Sequence, residues 1–182
     1  LVSVILAVLV FSTAMSWTWS SEISEFFHLF LINLFVISII FTIREILRIH
    51  ISKKKNIRTA HVFWPLGSLL TIGSTVLGNT FSLASYSYYE NKEDMKQYGR
   101  MYFFIFLSLY LISLITFILN FLFPSVFLQM LFVFAIMSVF IDMTPIDPMD
   151  GYEVRIWNFK VWLCLYLFVA CSYLIMNFQF FI

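Results

Sequence analysis

Charged residues that are spaced for chemistry occur at two places in an otherwise apolar chain. The first is a stretch that carries Arg44, Glu45 and Arg48, and the second is residues 145–151, with the sequence PIDPMDG. Arg44 and Arg48 are four residues apart, so on a helix they project from the same face, and Glu45 lies next to that face. The second stretch contributes the carboxylate of Asp150. Together these side chains offer two permanent cations and two carboxylates.

Residue type constrains the backbone of residues 145–151. Pro145 and Pro148 each fix φ near −65° and lack a backbone N–H group, so the apolar helix before them has to end. Gly151 allows a sharp turn directly after Asp150. A carboxylate between two apolar helices of membrane length is costly unless it has a partner. Asp150 is therefore a functional candidate, and its partner has to be found.

The composition predicts an all-α polytopic membrane protein. Of the 182 residues, 62% are hydrophobic and 12% are charged, whereas a soluble domain contains roughly 25% charged residues. The net charge of +1 provides no basic field for nucleic acid. Cys164 and Cys171 would be about two helical turns apart, too far for a disulfide, so we predict that they are small buried or lipid-facing residues.

Apolar runs predict about five transmembrane helices in a single domain, residues 1–182. The runs are residues 1–19, 26–51, 101–123, 125–141 and 157–182. We interpret the first as a retained span, because it has no basic n-region. Residues 62–89 are less hydrophobic and contain proline and glycine at intervals of a few residues, which favours a re-entrant, membrane-embedded segment over a straight span.

The basic residues predict the orientation. If residues 62–89 return to the side that they left, all 11 lysines and arginines lie on or near one side, with Glu22 and Glu25 opposite. The positive-inside rule then places the N-terminus inside and the C-terminus outside, most simply in the cell membrane. The end of the second span and Asp150 share the inner side, so Arg44 and Arg48 can converge on Asp150.

The second motif and the order of these elements resemble the site-2 proteases, a family of intramembrane zinc metalloproteases. That family carries HExxH on one transmembrane helix and later an NxxPxPxxDG-like loop, whose aspartate is the third zinc ligand. Residues 142–151, DMTPIDPMDG, are similar to this loop, although Asp142 stands where asparagine is usual. Pro145, Asp150 and Gly151 stand at motif positions, and Pro148 directly follows Asp147, which stands where the motif has its second proline. Residues 64–67, WPLG, resemble the segment that follows HExxH in some archaeal members, and the resemblance covers about residues 26–158.

The first motif is degenerate in this chain. Residues 44–48, REILR, align with HExxH, so the family's glutamate falls on Glu45, but both zinc-binding histidines fall on Arg44 and Arg48. HExxH binds zinc through two neutral imidazoles, while its glutamate activates the bound water. Arginine stays protonated and has no accessible lone pair. The resemblance therefore implies no zinc, no cofactor and no catalytic residue, with Arg44, Glu45, Arg48 and Asp150 as motif remnants and Pro145, Pro148 and Gly151 as structural residues.

We hypothesise that guanidinium charge replaces the metal, with Arg44 and Arg48 pairing with Asp150 and also with Glu45 in forked contacts. Two alternatives stay open. The arginines can extend to lipid headgroups as part of the basic anchor, and Asp150 can be a solvated carboxylate that caps the next helix. His50 and His61 are predicted at the surface. A rearranged metal site that combines these histidines with Asp150 is less favoured, because their spacing follows no ligand pattern.

The predicted function is a catalytically inactive, site-2 protease-like scaffold or accessory subunit. Its partners would be the lipid bilayer and the transmembrane helices of other proteins in a larger membrane complex. Two other classes are weighed against it. An active intramembrane protease with an atypical site would require cleavage that depends on Glu45 and on a metal. A small transporter or channel component would require a polar stripe, which the spacing of Ser108, Ser113, Thr116 and Asn120 does not provide.

Overall fold

A computed structural model describes residues 2–55, 59–76, 85–89 and 95–178 of the protein. These residues form seven helices and a two-stranded sheet, so the chain is mostly helical. In chain order the elements are α1 (Val2–Trp19), α2 (Ile23–Lys55), β1 (Thr59–Phe63), α3 (Pro65–Val76), β2 (Ser85–Tyr89), α4 (Met95–Leu122), α5 (Val126–Asp142), α6 (Asp150–Trp157) and α7 (Phe159–Phe178).

Three helices, α1, α2 and α4, are long and apolar enough to cross a membrane, and α5 and α7 contribute shorter apolar segments. These helices are consistent with an integral membrane protein. Each of the five predicted apolar runs corresponds to one of these five helices. Helices α2 and α4 extend beyond their runs at the charged ends, to Lys55 and from Met95, because lysine, methionine and glutamine are good helix formers outside the apolar region as well.

Helix α5 lies at the centre of the fold and contacts α2, α4 and α7. Except for Phe140, every side chain in residues 130–142 is buried, as expected of a helix that is apolar on all sides. Phe140 stacks on two tyrosines of α7, with ring centroids 5.5 Å from Tyr166 and 5.1 Å from Tyr173. On α4, the Ser113 hydroxyl donates to the carbonyl oxygen of Phe132 at 3.0 Å. Aromatic stacking and a buried hydroxyl thus fix α5 between its neighbours.

The segment predicted to be re-entrant, residues 62–89, contains part of β1, all of α3 and β2. The two strands pair antiparallel, with His61 opposite Ser87, so the chain returns beside the point at which it left. Helix α3 begins at Pro65, where the missing N–H group has no cost. Residues 77–84 lie outside the described residues, and the membrane placement of the segment stays a prediction.

Two glycines bring α6 into close contact with its neighbours at one end of the helix bundle. A Cβ on Gly99 of α4 would lie 2.3 Å from the carbonyl oxygen of Glu153, and a Cβ on Gly151 would lie 2.2 Å from that of Met143. The prediction for Gly151 was wrong in its mechanism, since this residue lies inside α6 and permits a close backbone approach instead of a turn. Asp150 likewise lies in the first turn of a helix, not in a loop.

Candidate functional site

The candidate site is centred on Arg44, whose guanidinium bridges two carboxylates from different helices. Its Nη1 atom donates to Asp142 Oδ2 at 2.5 Å, and its Nη2 atom donates to Asp150 Oδ2 at 2.6 Å. The three side chains are 5%, 8% and 1% exposed. The fork of one arginine therefore ties α2 to the end of α5 and to the start of α6.

Two serines donate hydrogen bonds to the same carboxylates that pair with Arg44. The Ser138 hydroxyl, one turn earlier on α5, donates to Asp142 Oδ2 at 3.3 Å, and the Ser87 hydroxyl of β2 donates to Asp150 Oδ2 at 3.4 Å. The second oxygen of Asp150, Oδ1, is buried and has no hydrogen-bond partner among the described residues. The site thus contains a buried acceptor that is still unsatisfied.

Arg48 does not pair with Asp150, and this part of the prediction was wrong. Its Nη2 atom donates to Glu45 Oε2 at 2.6 Å, and its Nη1 atom donates to the hydroxyl of Thr59 at 2.6 Å. Arg48 is one turn farther along α2 than Arg44, a rise of about 6 Å. That displacement places its guanidinium against β1, while Arg44 remains level with the carboxylates of α5 and α6.

His61 lies in the same region, although it was predicted at the surface. Its side chain is only 3% exposed, and Nδ1 lies 3.3 Å from Glu45 Oε1 without hydrogen-bond geometry. Burial, and then the charge of Arg44, lowers the pKa of His61 to about 4, so the imidazole is neutral at pH 7. His50 is exposed, as predicted. The difference arises because β1 packs against α1 and places His61 beside Phe41 and Glu45 of α2.

Glu153 adds a second unsatisfied carboxyl group, on the same helix as Asp150. Its Oε2 atom is buried and has no hydrogen-bond partner among the described residues. Burial, together with the nearby charge of Asp150, raises the pKa of Glu153 to about 8. Glu153 is therefore largely protonated at neutral pH.

The residues at this site do not fit the zinc that a site-2 protease would hold. Both Nη atoms of Arg44 lie within 2.6 Å of carboxylate oxygens of Asp142 and Asp150, so a guanidinium stands against the carboxylate that would be the third ligand. His61 faces Glu45 instead of Asp150. In the described part of the chain, no three His, Cys, Asp or Glu side chains converge as a metal site. The alternative site with His50, His61 and Asp150 is therefore not assembled.

Several members of the site were not predicted from the sequence. Asp142 was not predicted as a member of the site, yet it ends an apolar helix, where a carboxylate is as costly without a partner as at Asp150. Thr59 and Ser87 had no local signal, because their positions depend on how β1 and β2 pair. Pro145 and Pro148 lie in the connection between α5 and α6, where the Asp147–Pro148 peptide bond is cis.

The fold and the site together define a mostly helical chain with apolar helices of membrane length and a buried arginine–carboxylate cluster at one end. No protein-family model, no curated protein and no solved structure matches the chain. The resemblance to the site-2 proteases stays a prediction, which depends on the two motifs and on the order of the elements that carry them.

Proposed function

We propose that this protein is a catalytically inactive, site-2 protease-like membrane protein that acts as a scaffold or accessory subunit in a membrane protein complex. The observation that carries the proposal is the contact of Arg44 with both Asp142 and Asp150. The position of the first zinc-binding histidine in the resembled family is occupied here by a cation, and that cation is bonded to the carboxylate of the third ligand position.

The environment of Glu45 supports the same proposal. A metalloprotease glutamate has to accept a proton from a water molecule that a metal has made acidic. Glu45 instead accepts hydrogen bonds from Arg48 through both carboxylate oxygens, at 2.6 to 3.2 Å. Arg44 and Arg48 would repel a divalent cation, and no other group of the cluster would lower the pKa of a water molecule. Catalytic chemistry of the family type has no route through these residues.

In this proposal α1, α2, α4, α5 and α7 are the five spans, and residues 62–89, which include α3, are embedded in the membrane. The side chains of α3 support the embedding, because small or hydroxylated residues are buried while large apolar residues are exposed. The exposed apolar set is Leu66, Leu69, Leu70, Ile72 and Val76. Such an outward apolar face suits lipid or a neighbouring transmembrane helix. The N-terminus would lie inside and the C-terminus outside.

Ion-pair geometry also supports a structural role for the cluster. Arg44 connects α2 with α6, the two elements that a zinc ion would connect in an active relative, and it also connects both with α5. A scaffold would retain the cleft of the fold and would bind a partner helix there without cleaving it. Recognition would then depend on helix packing, with the buried polar cluster at the inner face holding the packed helices in position.

The absence of proteolysis can be tested in vesicles that contain the full chain and a labelled single-span substrate. We expect no cleavage above the level of empty vesicles, and no change on adding a zinc chelator or on the substitution Glu45→Gln. Cleavage that is lost both with the chelator and in Glu45→Gln would establish an active protease and would overturn the proposal.

The scaffold role can be tested by quantitative purification of the tagged full chain from its native membrane in mild detergent. We expect a transmembrane partner in a fixed ratio to the chain, and loss of that partner with Arg44→Met. The control is Lys53→Gln, which changes an exposed residue on the same helix, and this variant should retain the partner. Recovery of the chain alone, with no partner in a fixed ratio, would contradict an accessory subunit.

A further inference from the structure

A second polar site lies outside the arginine–carboxylate cluster, between the start of α4 and the end of α6. It is a cavity of about 370 Å³ that is lined by Lys96, Gln97, Arg100 and Trp157. Lys96 and Arg100 are one turn apart on α4, so both cations face the same space. Both are exposed, and neither forms an ion pair with an acidic side chain of the described residues.

The cavity is shaped by the close approach of α6 to α4. Gly99 lies between the two cations, and a Cβ at this position would come within 2.4 Å of Trp157 Cβ. The missing side chain therefore lets Trp157 sit beside Lys96 and Arg100. The indole also contacts Phe103 on the next turn of α4, with ring centroids 5.6 Å apart. Backbone packing and an aromatic contact thus fix one wall of the cavity.

The position of the cavity along the chain corresponds to the surface of a membrane. The apolar stretch of α4 that can cross a membrane begins at Lys96, and α7 begins two residues after Trp157. Tryptophan is enriched at the level of lipid headgroups, and lysine and arginine are enriched where a span leaves the membrane on the inner side. The cavity therefore opens at headgroup depth if α4 and α7 are spans, which is the one part of the proposed arrangement that this inference needs.

We propose that this cavity binds the headgroup of an anionic phospholipid from the leaflet on the basic side. A phosphate oxygen suits Lys96 as a point charge and Arg100 as a planar fork of donors. The indole N–H group of Trp157 is a further donor. Basic pockets between transmembrane helices on the inner side bind acidic headgroups in this manner. The acyl chains would extend along the exposed apolar residues of α4.

The proposal can be tested by titrating the full chain in mild detergent with dioctanoyl phosphatidylglycerol and counting bound lipids by native mass spectrometry. We expect about one phosphatidylglycerol per chain, bound more tightly than phosphatidylcholine of the same chain length. The double substitution Lys96→Gln/Arg100→Gln should weaken the binding about tenfold or more, since each basic residue near an anionic surface contributes severalfold.

A matched double variant, Lys53→Gln/Lys54→Gln, removes two exposed lysines at the end of α2 that do not line the cavity, and it should bind within about twofold of the wild type because diffuse surface charge is screened by salt. Equal binding of phosphatidylglycerol and phosphatidylcholine would overturn the proposal. So would an equal loss in both double variants, or complete displacement by inorganic phosphate at the lipid's concentration, which would indicate a site for free phosphate. None of these outcomes depends on whether the protein is a protease or a scaffold.

Discussion

Arg44 of α2 and Asp150 of α6 are 106 positions apart in the sequence and are joined by a 2.6 Å hydrogen bond in a buried site. A buried ion pair adds little to stability compared with well-packed apolar residues, but removal of one partner leaves an unpaired charge in the interior. Here the single cation Arg44 pairs with two carboxylates, so its removal leaves both of them without a cationic partner. The structural role of the cluster is therefore best tested at Arg44.

The substitution Arg44→Met should lower the free energy of unfolding by about 3–5 kcal/mol, because Asp142 and Asp150 lose their shared partner. Arg44→Lys should recover only part of this loss, since an ammonium group is a point charge that lacks the planar fork. Denaturant unfolding in mild detergent measures both changes. Arg48→Met is the matched control, and it should cost less because its partner Glu45 is 16% exposed. An equal or larger loss with Arg48→Met would contradict the central role of Arg44.

Gly151→Ala should destabilise the fold and weaken the Arg44–Asp150 contact. The added Cβ would lie 2.2 Å from the carbonyl oxygen of Met143, so α6 has to shift. Gly73→Ala is the control, because it lies inside α3 with no atom within 4 Å of its added Cβ, and it should be neutral or stabilise by up to about 1 kcal/mol. Thermal unfolding of both variants in the same detergent tests this pair. Equal stability of the two variants would show that α6 does not require the close approach.

Stability should fall as the pH rises from 6.5 to 8, because of Glu153. Its pKa is about 8 in the folded protein, whereas a glutamate in water has an ordinary pKa of 4.5, so the folded state binds this proton more tightly than the unfolded state. The stabilising contribution is complete below pH 4.5 and is lost as the pH rises to about 8. At about 1.4 kcal/mol per pH unit, the loss between pH 6.5 and 8 is at most about 2 kcal/mol.

Glu153→Gln should reduce this pH dependence, since glutamine keeps the shape but does not titrate, whereas Asp150, whose pKa burial also raises, still does. The range from pH 6.5 to 8 lies above the titration of His61, whose pKa is lowered to about 4. This lowered pKa has the opposite effect on stability, because the neutral form of His61 stabilises the fold above pH 6.5 and this contribution is lost as the pH falls towards 4. Denaturant unfolding at pH 6.5, 7.25 and 8 measures the slope. An unchanged slope in Glu153→Gln would show that another group is responsible.

Replacement of both arginines by histidine should create a metal site. In the double variant Arg44→His/Arg48→His, two imidazoles would stand one turn apart on α2, with Asp150 as a third ligand. We expect about one zinc per chain by elemental analysis, and loss of that zinc when Asp150→Ala is added. Arg48→His alone should bind none, because the guanidinium of Arg44 would still contact Asp150. No zinc in the double variant would show that these positions cannot converge on one metal.

Periodicity and residue type were sufficient to predict the long helices, because an apolar run of membrane length has few alternatives to a helix. The approach of the end of α2 to Asp150 was also predicted, since the positive-inside count assigns both to one side. Periodicity and residue type did not predict α6 or the two-stranded sheet. Helix α6 is short and depends on close approaches at Gly99 and Gly151, and the sheet depends on pairing between segments more than 20 residues apart, which leaves no local pattern.

Only part of the candidate site could be predicted from the sequence. The Arg44–Asp150 contact was predicted because a carboxylate between two apolar helices needs a partner of opposite charge. The burial of His61 and the pairing of Arg48 with Thr59 follow from the packing of β1 between its neighbours, which is a tertiary effect. Asp142 could have been included, because it is a carboxylate at the end of an apolar helix.

The zinc content of the wild-type chain tests the central claim most directly. The full chain would be produced in zinc-supplemented medium, purified in mild detergent without chelators and measured by elemental analysis, with Asp150→Asn as the comparison. The guanidinium of Arg44 in contact with Asp150 predicts far less than one zinc per chain in both proteins. About one zinc per wild-type chain, lost in Asp150→Asn, would show that a metal is bound where we place the arginine, and would contradict the account.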